Sequence, residues 1–199
     1  MTRAELEESW SAMVAGVQAI AGTNHEVLPV PEWLSDVRDD IVLLALSDED
    51  EADAVVASGS DIRYPSGTSD LHHEVELVVA LKSGGTDIAE SQALAHVFGY
   101  GVGLDLTRRD LQAKAKAKGM PWDTAKGFDA SAPASAIVPV ARSGHPAQGA
   151  LALEVNGQVR QQGDVADMVH SVPEIIAELS KLFELKAGDL IFCGTPSGV

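Results

Sequence analysis

Residues 74–81 read Glu-Val-Glu-Leu-Val-Val-Ala-Leu, a run rich in Val and Leu that predicts a strand. Alternate residues of a strand share a face. One face therefore carries Val75, Leu77, Val79 and Leu81, and the other carries Glu74, Glu76, Val78 and Ala80. A half-exposed strand would show polar residues along one whole face. Here one face is apolar throughout and the other mixes two carboxylates with apolar neighbours, the pattern of a strand covered on both sides. Two carboxylates about 5–6 Å apart repel by roughly 3 kcal/mol at an effective dielectric of 20. A buried pair must share a proton, meet a cation or bind a metal. Carboxylates without thiolates suit a hard divalent ion such as Mg2+, Mn2+ or Ca2+. The alternative is a strand whose first residues still reach solvent.

The whole chain narrows the function classes. Its 199 residues are 45% apolar and 22% charged, enough to bury a core in one domain or at most two small ones. The net charge of −16 argues against nucleic-acid binding, which needs clustered Lys and Arg. One cysteine, Cys193, excludes a disulfide framework and a four-thiolate zinc site, and reads as a core residue. No run of ~18 apolar residues predicts a membrane span. The first ten residues, MTRAELEESW, lack the basic-then-apolar layout of a signal peptide. A cytoplasmic location is the resulting expectation.

Local signals order the rest of the chain. Thr2 to Glu5 fits a capping box ahead of Leu6, Trp10, Met13, Val14, Val17 and Ile20 at helical spacing, and Ile41 to Leu46 reads as a strand. Residues 1–51 thus form a helix-plus-strand segment distinct from residues 52–199. A helix is predicted for Ala89 to Val97, a glycine-rich strand for Gly99 to Leu106, and a helix for Arg108 to Lys118 capped by Thr107. Asn156-Gly157 between apolar runs signals a hairpin, and Ser171-x-x-Glu174 with Pro173 opens a helix. Leu190 to Cys193 reads as a last strand. Strands and helices mix without strict alternation, which implies an α+β fold with a largely β core.

Four further features could carry chemistry. Asp105 stands in Tyr-Gly-Val-Gly-Leu-Asp-Leu, where a strand should bury its residues; it either joins the two glutamates at a metal or caps the following helix. Arg109 and Gln112 are three apart on one helical face and either grip a planar carboxylate together or face solvent separately. Lys126 lies among small and aromatic residues; it either holds a substrate carboxylate or oxyanion, or is a loop lysine beside Asp123 or Asp129. Gly194-Thr195-Pro196-Ser197 offers amides and a hydroxyl to an anion, or is simply a turn.

These segments together resemble the fumarylacetoacetate hydrolase family, in particular its small bacterial branch of acylpyruvate or fumarylpyruvate hydrolases. The resemblance rests on Tyr64-Pro65-x-Gly67-Thr68-x-Asp70-Leu71-His72-His73-Glu74-Val75-Glu76-Leu77, Gly103-Leu104-Asp105-Leu106-Thr107-x-Arg109-Asp110-Leu111-Gln112, Gly119-x-Pro121-Trp122-x-x-Ala125-Lys126-x-Phe128-Asp129, and Gly188-Asp189-Leu190-Ile191-Phe192 followed by Gly194-Thr195-Pro196-x-Gly198-Val199. It implies a mixed β-roll with short peripheral helices and a homodimer. It implies Mg2+ or Mn2+ on Glu74, Glu76 and Asp105, with Lys126 catalytic at the keto-acid end of the substrate. Arg109, Gln112, Lys126 and Thr195 would bind that substrate, a small diketo acid. The implied reaction is hydrolysis of a carbon–carbon bond in an acylpyruvate-type diketo acid such as fumarylpyruvate, giving pyruvate and a carboxylic acid. A decarboxylase or isomerase on the same platform, or a catalytically silent family member, are the other readings. Family relatives begin with a Gly-x-Asn-Tyr…His segment and continue past Gly-Val. In relatives the histidine of that segment and a nearby glutamate activate water; here the pattern is missing, and Gly22-Thr23-Asn24-His25-Glu26 imitates it poorly, with His25 in a loop and Glu26 at the wrong spacing. The expectation is therefore a divergent segment over residues 1–51 and a C-terminally short catalytic domain over 52–199.

Overall fold

The computed structural model describes residues 54–199. In chain order its strands are β1 (Val55–Ala57), β2 (Leu71–His72), β3 (Val75–Leu81), β4 (Val97–Leu104), β5 (Thr107–Arg108), β6 (Ala132–Ala134), β7 (Val138–Pro139), β8 (Ala150–Val155), β9 (Gln158–Asp164) and β10 (Leu190–Phe192). Its α-helices are α1 (Glu90–Ala93), α2 (Arg109–Ala117), α3 (Asp123–Lys126), α4 (Val140–Ser143) and α5 (Val172–Leu182). The helix and strand predicted within residues 1–51, and His25, lie outside the described residues. Among the described residues no helix is long and apolar enough to cross a membrane.

All seven residues of β3 are buried, as its two-sided apolar pattern requires. It lies antiparallel between β4 and β10 in a mixed sheet ordered β1-β6-β4-β3-β10, with β7 also paired to β4. Beneath one face, Leu77, Val79 and Leu81 pack with Ile176 of α5, Leu185 and Ile191. Above the other, Val78 and Ala80 pack with Ile137 and Leu190, and Phe192 joins them. Burying each Val or Leu side chain contributes about 1.5–3 kcal/mol, so the strand is fixed from both sides before any polar contact is considered.

The glycines of β4 make that second layer possible. Gly99, Gly101 and Gly103 pair with Ala80, Val78 and Glu76, so all three sit on the carboxylate face. A β-carbon on Gly99 would lie 2.3 Å from the Val138 carbonyl oxygen, and one on Gly103 would lie 2.4 Å from Cε1 of Phe192. The missing side chains admit the 135–139 segment and the Phe192 ring against the sheet.

Several local predictions hold. Asn156 and Gly157 take φ of 54° and 71°, the turn that joins β8 to β9. Ser171 and Glu174 form the reciprocal capping box of α5, with Pro173 in its first turn. Two predictions change. Thr107 does not cap α2: it pairs with His72 in the β2–β5 ladder, its hydroxyl donates to the Asp105 carbonyl, and α2 begins without a side-chain cap. The helix predicted to reach Val97 gives way to a 3-10 turn over Leu94–His96, because Val97 already pairs with Leu81 in β4.

Replacing Gly103 with alanine should strain the sheet where it faces Glu76. We expect Gly103→Ala to cost about 1–3 kcal/mol, the usual penalty of overpacking, read as a lower midpoint in urea unfolding. An unchanged midpoint would contradict the close approach of Phe192.

Candidate metal centre

Glu74 precedes β3, Glu76 lies within it, and Asp105 follows β4. The antiparallel register of β3 and β4 brings them together: Val75 pairs with Leu104, and the Asp105 amide donates to the Glu74 carbonyl at 2.8 Å. Glu74 and Glu76 are 7% and 4% exposed, so the strand does not run its acids into solvent. One oxygen from each of the three carboxylates lies within 4.8 Å of the others. Asp105 sends its carboxylate to this cluster and not to the start of α2.

Two cations neutralise part of it. The Lys126 ammonium donates to Glu74 Oε2 at 2.7 Å and to Asp105 Oδ2. It is largely buried at the end of α3 and is not the loop lysine of the alternative reading. The Arg109 guanidinium donates to Glu74 Oε1, to Gln112 Oε1 at 2.6 Å and to His72 Nδ1 at 3.3 Å. Because His72 Nδ1 accepts, its Nε2 carries the proton donated to Asp70 at 3.1 Å. Glu76 is treated differently. It accepts the Gly194 amide at 2.7 Å, and among the described residues no Lys, Arg or His lies within ion-pair range of it.

The protonation pattern follows from these partners. Burial works against the Glu74 carboxylate, but Lys126 and Arg109 together outweigh it and hold its pKa below the usual range. Burial raises Asp105, with Lys126 opposing and Glu74 adding to the rise. Burial and then the charge of Asp105 push Glu76 up to about 8. With Glu76 ionised, three carboxylates against two cations would leave one buried negative charge unmatched, and an all-oxygen donor set of this kind fits a hard divalent ion.

The structure gathers Glu74, Glu76, Asp105, Lys126, Arg109 and Gln112 at one place. Thr195 sits behind it: its hydroxyl donates to the Val75 carbonyl at 2.9 Å and accepts from Gln161 Nε2 at 2.7 Å. Its hydroxyl hydrogen is therefore already engaged with the backbone between the two glutamates. Cys193 is half-buried beside the cluster of Leu77 and Ile191; burial and the negative charge of Glu76 push its thiol well up, which suits an inert packing role. Sequence reasoning missed Gln161 and His72, while the turn amides it offered to an anion include the Gly194 amide that meets Glu76. The His72 pairing was within reach, since it follows from the same strand alternation that places Glu74 and Glu76.

Comparison with known proteins identifies the family and the fold. The sequence profile of the fumarylacetoacetate (FAA) hydrolase C-terminal family matches residues 50–199. A fumarylpyruvate hydrolase of Ralstonia sp is 48% identical over 145 residues, 73% of this chain and 75% of that protein. The oxaloacetate tautomerase YcgM of Escherichia coli (strain K12) is 48% identical over 139 residues, 69% of this chain and 64% of that protein. Among solved structures, the fumarylpyruvate hydrolase from Pseudomonas aeruginosa in complex with Mn2+ and pyruvate superposes with a TM-score of 0.72 at 48% identity, covering 74% of this chain and 65% of that one. The chain thus spans about two thirds to three quarters of the length of these relatives. The shared architecture is the mixed, curled sheet with short peripheral helices expected from sequence. The chain belongs to the fumarylacetoacetate hydrolase family.

Proposed function

We propose that this chain is a divalent-metal-dependent hydrolase of acylpyruvate-type diketo acids, with residues 52–199 as its catalytic domain. Water is added across a carbon–carbon bond, giving pyruvate and a carboxylic acid. The observation that carries the reading is the buried carboxylate triad, with Lys126 and Arg109 set against it. The similarity to fumarylpyruvate hydrolases supports the substrate class.

Glu74, Glu76 and Asp105 would hold Mg2+ or Mn2+. Such an ion supplies Lewis-acid polarisation of a 2-oxo acid. Lys126 is largely screened from solvent, and its ammonium donates a hydrogen bond to negative charge developing on the substrate oxygen. Arg109 spends one hydrogen from each of its three nitrogens on His72, Gln112 and Glu74. The second hydrogen on each terminal nitrogen remains for the substrate carboxylate, and Gln112 fixes the angle of that fork. Thr195 contributes through the Gly194–Pro196 turn that it anchors. The reading also carries the homodimer that the family resemblance implies.

A second reading keeps the same residues and changes the reaction. The E. coli relative is an oxaloacetate tautomerase, and keto–enol exchange needs the same polarised 2-oxo acid without addition of water.

Purified full-length protein supplied with Mg2+ or Mn2+ should remove the enol absorbance of fumarylpyruvate or acetylpyruvate and release pyruvate. Glu76→Gln should lower kcat/KM on the order of 100-fold or more, a loss of about 2.7 kcal/mol or more of transition-state stabilisation. Oxaloacetate enol–keto exchange without pyruvate release would favour the tautomerase. Turnover of neither substrate by folded, metal-supplied protein would refute both readings.

The metal-free protein holds Glu76 protonated below about pH 8, so ion binding at pH 7 must displace that proton. Calorimetry in buffers of different ionisation enthalpy should show close to one proton released per Mn2+ at pH 7. Affinity should rise as pH approaches about 8 and level above it. Binding without proton release would contradict the assignment of Glu76.

A further inference from the structure

Gln161 lies in β9, outside every motif that carries the family resemblance, and is 1% exposed. It pairs with Leu153, itself 1% exposed, at a position where an apolar residue would ordinarily pack. An amide buried without partners costs about 1–3 kcal/mol. This one has all of them. Oε1 accepts from the Val75 amide at 3.0 Å and from His73 Nδ1 at 2.9 Å. Nε2 donates to Thr195 Oγ1 at 2.7 Å and to the Pro196 carbonyl at 3.0 Å. The Val75 amide can only donate and the Pro196 carbonyl can only accept, so the side chain has a single orientation and His73 carries its proton on Nδ1.

The groups it joins are those that frame the triad. Val75 stands between Glu74 and Glu76, and its carbonyl accepts the Thr195 hydroxyl. Thr195 follows Gly194, whose amide binds Glu76. A closed ring therefore runs from the Val75 amide through Gln161 and Thr195 back to the Val75 carbonyl. The turn is pressed onto β9 as well: a β-carbon on Gly198 would lie 2.4 Å from the Arg160 carbonyl oxygen. A bulge at Arg160 turns Gln161 inward, since Leu153 pairs with Gln161 while Glu154 pairs with Val159.

We infer that Gln161 is a positioning residue of the metal centre: it clamps Val75 to the Gly194–Pro196 turn and so fixes the two glutamates and the Gly194 donor for one ion. The inference rests on the metal-dependent reading above. Partners that orient metal ligands without touching the ion commonly govern affinity by about 10–100-fold.

The test is Mn2+ binding to the full chain without substrate, followed by the spin-resonance signal of free Mn2+. Gln161→Met keeps the volume and removes all four hydrogen bonds. Gln161→Glu keeps the acceptor for Val75, sets an oxygen against Thr195 and Pro196, and carries the same test if the methionine variant does not fold. Ser180→Ala is the control. Ser180 is also 1% exposed and bonds the Ile88 amide and the Ala177 carbonyl, none of them part of the triad or its partners. Both Gln161 variants should bind Mn2+ about tenfold more weakly or worse, while Ser180→Ala loses stability but binds as wild type. Wild-type affinity in a folded Gln161 variant, or an equal loss in Ser180→Ala, overturns the inference alone. No binding by the wild type overturns the metal-dependent reading, and this inference with it.

Discussion

Negative charge held out of water is the constraint around which the described residues are arranged. Glu74 and Glu76 belong to a chain segment that is apolar on its other face and covered on both, so neither acid can turn to solvent. Asp105 adds a third carboxylate through the antiparallel register of β3 and β4. Lys126 and Arg109 answer two of the three. Glu76, left with a single backbone donor, shows the imbalance as a pKa raised to about 8 by burial and the neighbouring charge. Glycines in β4 let the covering layer approach, and the 194–196 turn supplies the donor that Glu76 does receive.

Much of this was legible because it is local. The two-sided apolar pattern of residues 74–81 announced a covered strand carrying two acids. Asn156-Gly157 and Ser171-x-x-Glu174 named a turn and a helix start through the backbone geometry that each demands. What was not legible is non-local. Thr107 looks like a helix cap until His72 takes it as a strand partner. Gln161 is the sharper case. Counting back from the Asn156-Gly157 turn in a regular hairpin sets Gln161 opposite Ala152, on the outer face with Glu154. One extra residue at Arg160 reverses that alternation and buries the amide, and nothing in the local sequence marks the bulge. Lys126 was ambiguous for a related reason: its burial comes from Glu74 and Asp105, 52 and 21 residues away.

The same set of side chains suits more than one reaction of a 2-oxo acid, which accords with the hydrolases and tautomerases among the relatives. Both reactions require the acid to be held flat against a cationic rim while charge builds on its oxygen. In the proposed reading, Arg109 braced by Gln112, and Lys126 braced by two carboxylates, would provide that rim. Hydrolysis adds one demand, a water delivered to the far carbonyl carbon, so the two activities part at the delivery of water and not at the triad.

The most direct examination of the account is anomalous X-ray diffraction at the manganese absorption edge from crystals grown with Mn2+. One strong peak is expected, bonded by oxygens of Glu74, Glu76 and Asp105 together. A peak elsewhere on the chain, or an ion touching fewer than these three side chains, would contradict it.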